Sequence, residues 1–404
     1  MESPSALAIP PVCSADSLEL TLQEILAEPV SRVKEREHTA LDRLLTQHNK
    51  RCVLFGAGSM GRRALSALSR HGVQPLSYCD NNPELWGTVV DDTMVLSPGA
   101  ATKRFGQDAL FFLTVRNEAH WYRESFEHLK RLCCAHISSA DPITWRFPHE
   151  FLPFLLYDLP HRVYEQADRV LQAESIWADE PSRAEYIAQV RLRSLGDPSG
   201  LVQPTPESYV LDGVFNVEPE DVLVDCGAFD GDTIRNWIAR QPEFGKIEAV
   251  EADSHSFARL AGYIATLEPE QRSKIRLHKC AAGARRGTVR FEDTGKVDSK
   301  VSDLGAAVVD MVPLDVMFAS KTVSMIKMDI EGAEFDALLG ARQIIQRDRP
   351  ILAICVYHRQ DDLWRLPLLM RAMVPEYRMY LKTYSGDGLQ TVAYAVPPER
   401  VLRA

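Results

Sequence analysis

Acidic and imidazole side chains follow two apolar segments in the second half of the chain. Asp329 and Glu331 come directly after one such segment, and His358 follows the apolar run 350–357. Ligand crevices of open α/β sheets lie at the carboxyl ends of parallel strands, so these side chains are expected near one another. An imidazole with an ordinary pKa of about 6.5 can accept a proton at neutral pH. We therefore predict that His358 is a general base oriented by Asp329. The predicted substrate contacts are Glu331, Lys327 and Tyr384.

The same residues leave a second chemistry open. Asp329, Glu331 and His358, with Asp361 or Asp362 nearby, offer oxygen and imidazole ligands suited to Mg²⁺ or Mn²⁺. Their spacing is not diagnostic, because carboxylates gather at strand ends for several reasons. A divalent metal is therefore an alternative that the sequence does not favour, and no metal ligands are assigned.

A glycine-containing turn follows the first apolar strand of this half. The segment DCGAFDGDT at 225–233 joins a strand at 222–224 to a helix that begins near Ile234. Glycines in such a turn let the backbone approach a ligand at the carboxyl edge of a sheet. Glu251 ends the next predicted strand, where a carboxylate can accept hydrogen bonds from two ribose hydroxyls. Together they predict that an adenosine is held across the first two strands.

The elements that position these residues alternate between strand and helix. From Asp221 onward the chain contains seven apolar segments of strand type, with helical segments between the first five. This order predicts a mostly parallel, doubly wound sheet closed by an antiparallel edge. Glu334 and Asp336 stand at the start of a helix, where negative charge is favourable. The predicted strands are VLVDCG, KIEAVEAD, IRLHKCAA, VSMIKMDIEG, PILAICVYH, YRMYLKTYS and LQTVAYAVP.

These segments resemble the FkbM family of S-adenosylmethionine-dependent methyltransferases. The resemblance covers roughly 205–397, and its most specific block is IKMDIEGAE. It implies a seven-stranded class I methyltransferase fold and transfer of a methyl group, usually to a hydroxyl of a sugar or another small molecule. The supporting segments are VLVDCGAFDGDT, VEAD, the run from Cys280 through Arg290, IKMDIEGAEFDALLGA, PILAICVYHRQDDLWRLPLL, YLKTYS and TVAYAV.

The resemblance also implies roles for individual residues. Gly227 and Gly231 would frame the methionine part of the cofactor. Asp225 would neutralise its amino group, and Glu251 would hold the ribose. Asp230 stands where relatives often carry a neutral residue, which leaves the local hydrogen bonding open. The implied cofactor contacts are Asp225, Gly227, Gly231, Asp232, Thr233, Glu251 and, near the adenine, Asp253 and Ala281.

A second glycine motif lies in the first half of the chain. Gly56, Gly58 and Gly61 follow a strand at 52–55 and open a helix, and Asp80 ends the next strand. This spacing is a dinucleotide fingerprint, so an NAD-dependent oxidoreductase or a nucleotide-sugar-binding protein is the rival hypothesis. Against it, the predicted strands supply only half of a dinucleotide-binding sheet. Glycines that serve only the packing of helix on strand are the other alternative.

Length and charge set the outer limits. The 404 residues allow two to three domains of about 150 residues each. With 46 basic and 56 acidic residues the net charge is −10, which disfavours a nucleic-acid binder. The acidic residues of the predicted site would instead suit a cationic sulfonium cofactor. We expect a small-molecule or glycan acceptor, whereas the oligomeric state stays open.

The N-terminus and the cysteines indicate the compartment. No signal-peptide pattern and no run of about 18 apolar residues is present, so a cytoplasmic chain without a membrane span is expected. The eight cysteines form no CxxC pair, which predicts buried, reduced thiols. The expected fold class is α/β with two Rossmann-like domains. The predicted parts are a helical arm at 1–49, a Rossmann-like domain at 50–140, a helical connector at 141–204 and a methyltransferase domain at 205–404.

Overall fold

The computed structural model describes residues 21–116, 120–206, 209–241, 243–291, 305 and 307–402. The chain divides into two compact units whose bounds differ from the four predicted parts, because the N-terminal helices and most of the connector group with the first sheet. The first unit comprises Met1–Glu174, Ala184–Thr205 and Thr383–Gln390, and the second comprises Ser175–Arg183, Pro206–Lys382 and Thr391–Ala404.

The described part of the first unit begins with two helices that precede its first strand. Thr21 caps the first helix with its side chain, whereas the predicted cap Ser17 lies outside the described residues. The elements up to the second unit are α1 (Leu22–Leu26), α2 (Val30–Gln47), β1 (Cys52–Phe55), α3 (Ser59–Arg70), β2 (Tyr78–Cys79), β3 (Val89–Val90), β4 (Thr93–Leu96), α4 (Pro98–Phe105), β5 (Leu110–Leu113), α5 (Tyr122–Arg131), β6 (His136–Ser139), α6 (Asp141–Arg146), α7 (Pro148–Phe151), α8 (His161–Tyr164), α9 (Ala167–Glu174) and α10 (Glu180–Leu195).

The first sheet has six strands in the order β3-β4-β2-β1-β5-β6. Strands β4, β2, β1, β5 and β6 pair in parallel, and β3 pairs antiparallel with β4. The expectation of half a dinucleotide-binding sheet is therefore wrong. The hairpin of β3 and β4 escaped prediction because its strands are only two and four residues long, too short for a periodic pattern, and expose Val89 and Met94.

The second unit contains the remaining elements. They are β7 (Val222–Cys226), α11 (Asp232–Arg240), β8 (Lys246–Val250), α12 (Ser254–Thr266), α13 (Pro269–Ser273), β9 (Ile275–His278), β10 (Ala281–Ala282), β11 (Gly287–Phe291), β12 (Ala307–Val312), α14 (Leu314–Met317), β13 (Met325–Met328), α15 (Glu334–Leu339), α16 (Arg342–Asp348), β14 (Ile351–Cys355), α17 (Asp362–Met373), β15 (Arg378–Thr383) and β16 (Thr391–Val396).

All seven predicted strands of this half form one sheet, in the order β15-β16-β14-β13-β7-β8-β9. Strands β9, β8, β7, β13 and β14 run parallel, and β16 pairs antiparallel with β14. The carboxyl ends of β8, β7, β13 and β14 therefore meet at one edge. A small sheet of β10, β12 and β11 was not predicted. The α/β class and the seven-stranded fold of the second half are confirmed.

The cysteine prediction holds for most of the described residues. Six cysteines are free and buried, but Cys133 is exposed, and Cys13 lies outside the described residues. Among the described helices, none combines the length and the apolar character needed to cross a bilayer.

The glycines of the first motif differ in the space around them. A Cβ on Gly61 would overlap the carbonyl oxygen of Gly56, whereas a Cβ on Gly58 would meet nothing within 4 Å. We predict that Gly61→Ala lowers the free energy of unfolding by about 1–3 kcal/mol through overpacking. The matched control Gly58→Ala has room for its Cβ and should cost no more than about 1 kcal/mol, the loss expected for alanine at the N-cap of α3. Urea denaturation measures both, and equal stability of the two variants would contradict the packing role of Gly61.

Candidate functional site

The glycine turn after β7 depends on left-handed backbone conformations. Gly227 and Gly231 have φ values of 79° and 91°, which side-chain-bearing residues rarely adopt. A Cβ on Gly227 would also overlap the carbonyl oxygen of Asp329. The turn is thus packed directly against the chain that leaves β13.

Glu251 closes this turn from the end of β8. Its Oε2 accepts a hydrogen bond from the backbone N–H of Phe229 at 2.8 Å, and its Oε1 accepts one from Asp253 at 2.7 Å. The residue is 7% exposed. Burial raises the pKa of Glu251 to about 7, although both backbone N–H groups act in the opposite direction. The carboxyl group is thus held in one place at the sheet edge and titrates near neutral pH.

A buried ion pair lies beneath the turn. Lys327 Nζ is 3.0 Å from Asp225 Oδ1 and donates a hydrogen bond to the carbonyl oxygen of Gly227 at 2.7 Å. The two side chains are 2% and 0% exposed. Burial alone would lower the pKa of Lys327, but the carboxylates of Asp225 and Asp329 hold it above its ordinary value, so the ammonium stays charged.

This pairing bears on two predicted roles. Asp225 was expected to face the amino group of a cofactor, and Lys327 was expected to face the substrate. The structure pairs the two groups with each other, and their roles toward a ligand stay predictions. Sequence reasoning missed the pair because adjacency across β7 and β13 appears only when the strands are in register, with Lys327 opposite Asp225.

The structure brings Asp329 and His358 together at the ends of β13 and β14. Asp329 Oδ1 lies 3.2 Å from His358 Nε2. Two tyrosines that sequence reasoning missed hold the same carboxylate: Tyr209 donates to Oδ2 at 3.1 Å and Tyr357 donates to Oδ1 at 3.2 Å. Tyr357 could have been inferred from its place beside His358, whereas Tyr209 precedes β7 and carries no local signal.

Carboxylates surround the His358 ring. Glu334 Oε1 lies 2.9 Å from Nδ1, and Glu331 Oε2 lies 3.7 Å from Nε2. Glu334 Oε1 also accepts the backbone N–H of Ile330 at 2.9 Å, so Glu334 does more than favour the start of a helix.

These carboxylates change the protonation of the ring. Burial alone would lower the pKa of His358, but Glu334 and Asp329 raise it well above its ordinary value. Asp329 is also desolvated, yet its contact with His358 holds its pKa well below the usual range. The premise that His358 keeps an unperturbed pKa therefore does not hold, because the neighbouring carboxylates favour the charged imidazole.

The remaining predicted residues have varied surroundings. Asp253 caps α12 by accepting the Ser256 N–H at 2.7 Å. Asp232 accepts the N–H of Thr233 at 2.7 Å. Ala281 lies in β10 of the small sheet, and Tyr384 is buried in the segment that belongs to the first unit. Their roles toward a ligand stay predictions.

The first unit repeats one device of the second. Asp80 Oδ2 accepts the backbone N–H of Ala57 at 2.8 Å, and Oδ1 accepts that of Asn82 at 2.8 Å. Asp80 therefore closes its own glycine turn, as Glu251 does. A carboxylate in this position has a structural role in both units, and its presence alone does not identify a ligand.

Comparison with known proteins identifies the second unit. Residues 225–385 match the family model of the methyltransferase FkbM domain. This part of the chain is a methyltransferase FkbM domain. The FkbM domain contains the glycine turn, Glu251 and the cluster around His358. Of the second sheet, the start of β7 and strand β16 lie outside the match.

Two further similarities extend this finding. The 2-O-methyltransferase NoeI of Sinorhizobium fredii is 23% identical over 212 residues, which are 46% of this chain and 83% of that protein. The crystal structure of methyltransferase FkbM from Methylobacillus flagellatus superposes with a TM-score of 0.71 at 20% identity, over 92% of this chain and all of that chain. The latter establishes the fold, including that of the first unit.

The buried ion pair makes a stability prediction. Lys327→Met leaves the buried carboxyl group of Asp225 without its ion-pair partner inside the sheet, so we expect the free energy of unfolding to fall by about 3–5 kcal/mol. The double variant Asp225→Leu with Lys327→Met removes both charges and should recover much of this loss. Urea denaturation measures both. A loss in Lys327→Met below about 1 kcal/mol, as for an exposed pair, would show that the pair is not buried in solution.

Proposed function

We propose that this chain is an S-adenosylmethionine-dependent methyltransferase that methylates a hydroxyl group of a sugar or another small-molecule acceptor. The proposal is supported by the FkbM domain and by the 2-O-methyltransferase name of the relative NoeI. The observation that carries it is the adjacency of two features of one sheet. The first is the glycine turn after β7 with Glu251, and the second, the acidic edge, is formed by Asp329, Glu331 and His358 after β13 and β14.

The residues of the turn fit the cofactor. Gly227 and Gly231 leave backbone bare of side chains at the sheet edge, and Glu251 presents a fixed carboxyl group there. Glu251 would hold the ribose hydroxyls, and the glycine turn would frame the methionine part. When bound, S-adenosylmethionine supplies a methyl group activated by a sulfonium.

The chain must then bind an acceptor and manage one proton. The acceptor hydroxyl loses its proton as its oxygen takes the methyl group. Asp329 and His358 lie at the edge of the sheet and would receive or relay this proton. Tyr209 and Tyr357 fix the Asp329 carboxylate, so the edge is held in a defined geometry. Because Glu334 and Asp329 favour the charged imidazole, a role of His358 as general base would require that its proton be displaced first.

Cofactor binding tests the proposal directly. Isothermal titration of the intact chain with S-adenosylmethionine should show one site. In Glu251→Gln the amide NH₂ must face a backbone N–H, and a charged acceptor is lost, so the affinity should fall roughly 10- to 100-fold. Glu220→Gln, which alters an exposed carboxylate before β7, should bind like the parent chain. If the intact chain does not bind S-adenosylmethionine, the proposed function is wrong.

The affinity should also depend on pH through Glu251. Its unliganded pKa is about 7, and ribose hydroxyls donate to the charged form, so binding lowers this pKa and releases a proton. Affinity should therefore be highest above pH of about 7 and fall as the pH drops from about 8 to about 6. The dissociation constant measured by calorimetry across this range should be flat in Glu251→Gln. An equal slope in parent and variant would exclude Glu251 as the titrating group.

Two features support the rival hypothesis, an NAD-dependent oxidoreductase or a nucleotide-sugar-binding protein. A Cβ on Gly58 would meet nothing within 4 Å, and the first sheet contains five parallel strands. Titration with NAD and with a nucleotide sugar tests it. Binding that is abolished by Gly58→Arg and unaffected by Glu251→Gln would assign a ligand to the first unit.

A further inference from the structure

Three side chains at the edge of the second sheet point ligand atoms at one place. One atom each from Asp329, Glu331 and His358 lie within 4.8 Å of one another. His358 Nε2 is 3.2 Å from Asp329 Oδ1 and 3.7 Å from Glu331 Oε2. Metal–ligand bonds of about 2.0–2.2 Å place neighbouring ligand atoms roughly 3–3.5 Å apart, so the observed separations fit a shared cation with small adjustment.

A second observation concerns the imidazole itself. The His358 side chain is 1% exposed, and among the described residues its Nε2 has no hydrogen-bond partner, only the carboxylates of Asp329 and Glu331 at 3.2 and 3.7 Å. Buried polar atoms without such partners are uncommon in folded proteins and call for an explanation, an ion being one of them. Nε2 is the nitrogen that faces Asp329 and Glu331, so the position suited to an ion lies between these three side chains.

Glu334 supplies the outer contact of such a site. Its Oε1 lies 2.9 Å from His358 Nδ1, the nitrogen on the opposite side of the ring. The backbone N–H of Ile330 holds the same oxygen at 2.9 Å. Histidine ligands of metals usually have their second nitrogen oriented by a carboxylate in this way.

We propose that Asp329, Glu331 and His358 bind one divalent cation, with Glu334 as the positioning residue for the imidazole. Two carboxylates and one imidazole are donors that Mn²⁺ and Mg²⁺ accept, with the other coordination positions left to water or an acceptor hydroxyl. A divalent charge also offsets the three carboxylates that converge on one ring.

The role of this cation deepens the proposed function and rests on it, whereas the binding itself does not. A hydroxyl bound to the cation is more acidic. Its proton passes to solvent, its oxygen forms the bond to the methyl carbon, and the carbon–sulfur bond breaks with the electron pair staying on sulfur. His358 then serves as a ligand instead of the general base predicted from the sequence.

The experiment uses the full chain, treated with chelator and titrated with Mn²⁺, and records the electron paramagnetic resonance signal of free Mn²⁺. We expect one Mn²⁺ per chain, displaced by excess Mg²⁺. Glu331→Gln and His358→Ala should each weaken binding at least about tenfold. Asp336→Asn removes an exposed carboxylate from the same helix as Glu334 and should bind Mn²⁺ like the parent chain.

Glu334→Gln tests the positioning role. It should weaken Mn²⁺ binding by about 10- to 100-fold and leave the affinity for S-adenosylmethionine unchanged, a separation that a general loss of structure would not produce. Thermal unfolding of each variant accompanies the titrations.

The outcomes separate this inference from the proposed function. If the parent chain binds S-adenosylmethionine but no Mn²⁺, or if Glu331→Gln and His358→Ala bind Mn²⁺ as tightly as the parent, the cation site is wrong and the methyltransferase proposal stands. If Mn²⁺ binds with the expected variant effects and S-adenosylmethionine does not bind, the site is real and the proposed function is wrong.

Discussion

The ion pair between Asp225 and Lys327 joins the two central strands of the second sheet where the candidate site begins. The same ammonium holds the carbonyl of Gly227, and Gly227 packs against the backbone of Asp329. One buried charge thus links the glycine turn after β7 to the acidic edge. Burying two charges costs desolvation energy that a well-packed apolar pair would avoid. We interpret the pair as a device that fixes the relative position of two loops rather than as a source of net stability.

The charges around His358 reverse the simplest expectation for its protonation, which is a neutral imidazole. A lone imidazole at a strand end would be a neutral base, but Glu334 and Asp329 lie against His358 and favour its charged form. A divalent cation would meet the same demand for positive charge and leave the imidazole neutral as its ligand. The arrangement therefore selects for a cation, whether a proton or a metal ion, between these side chains.

Both units contain a glycine turn closed by a carboxylate, but this shared feature does not by itself identify a function. In both, a glycine turn follows the first parallel strand, and a carboxylate from the second strand, Asp80 or Glu251, accepts a backbone N–H of that turn. This contact stabilises the turn itself. What distinguishes the second unit is the further group of polar side chains after β13 and β14, which lies in the FkbM domain.

Strands β7, β13 and β14 were predictable from sequence because each is a largely apolar and buried run. The meeting of Asp329 with His358 was predictable as well, because parallel strands end at one edge. The two glycine turns were likewise predictable from motif spacing. Only the tertiary structure decided the partner of Lys327, the contact of Tyr209 with Asp329 and the protonation of His358. Those properties depend on register, on residues distant in the chain and on the surrounding charges, and none of these is a local property of the sequence.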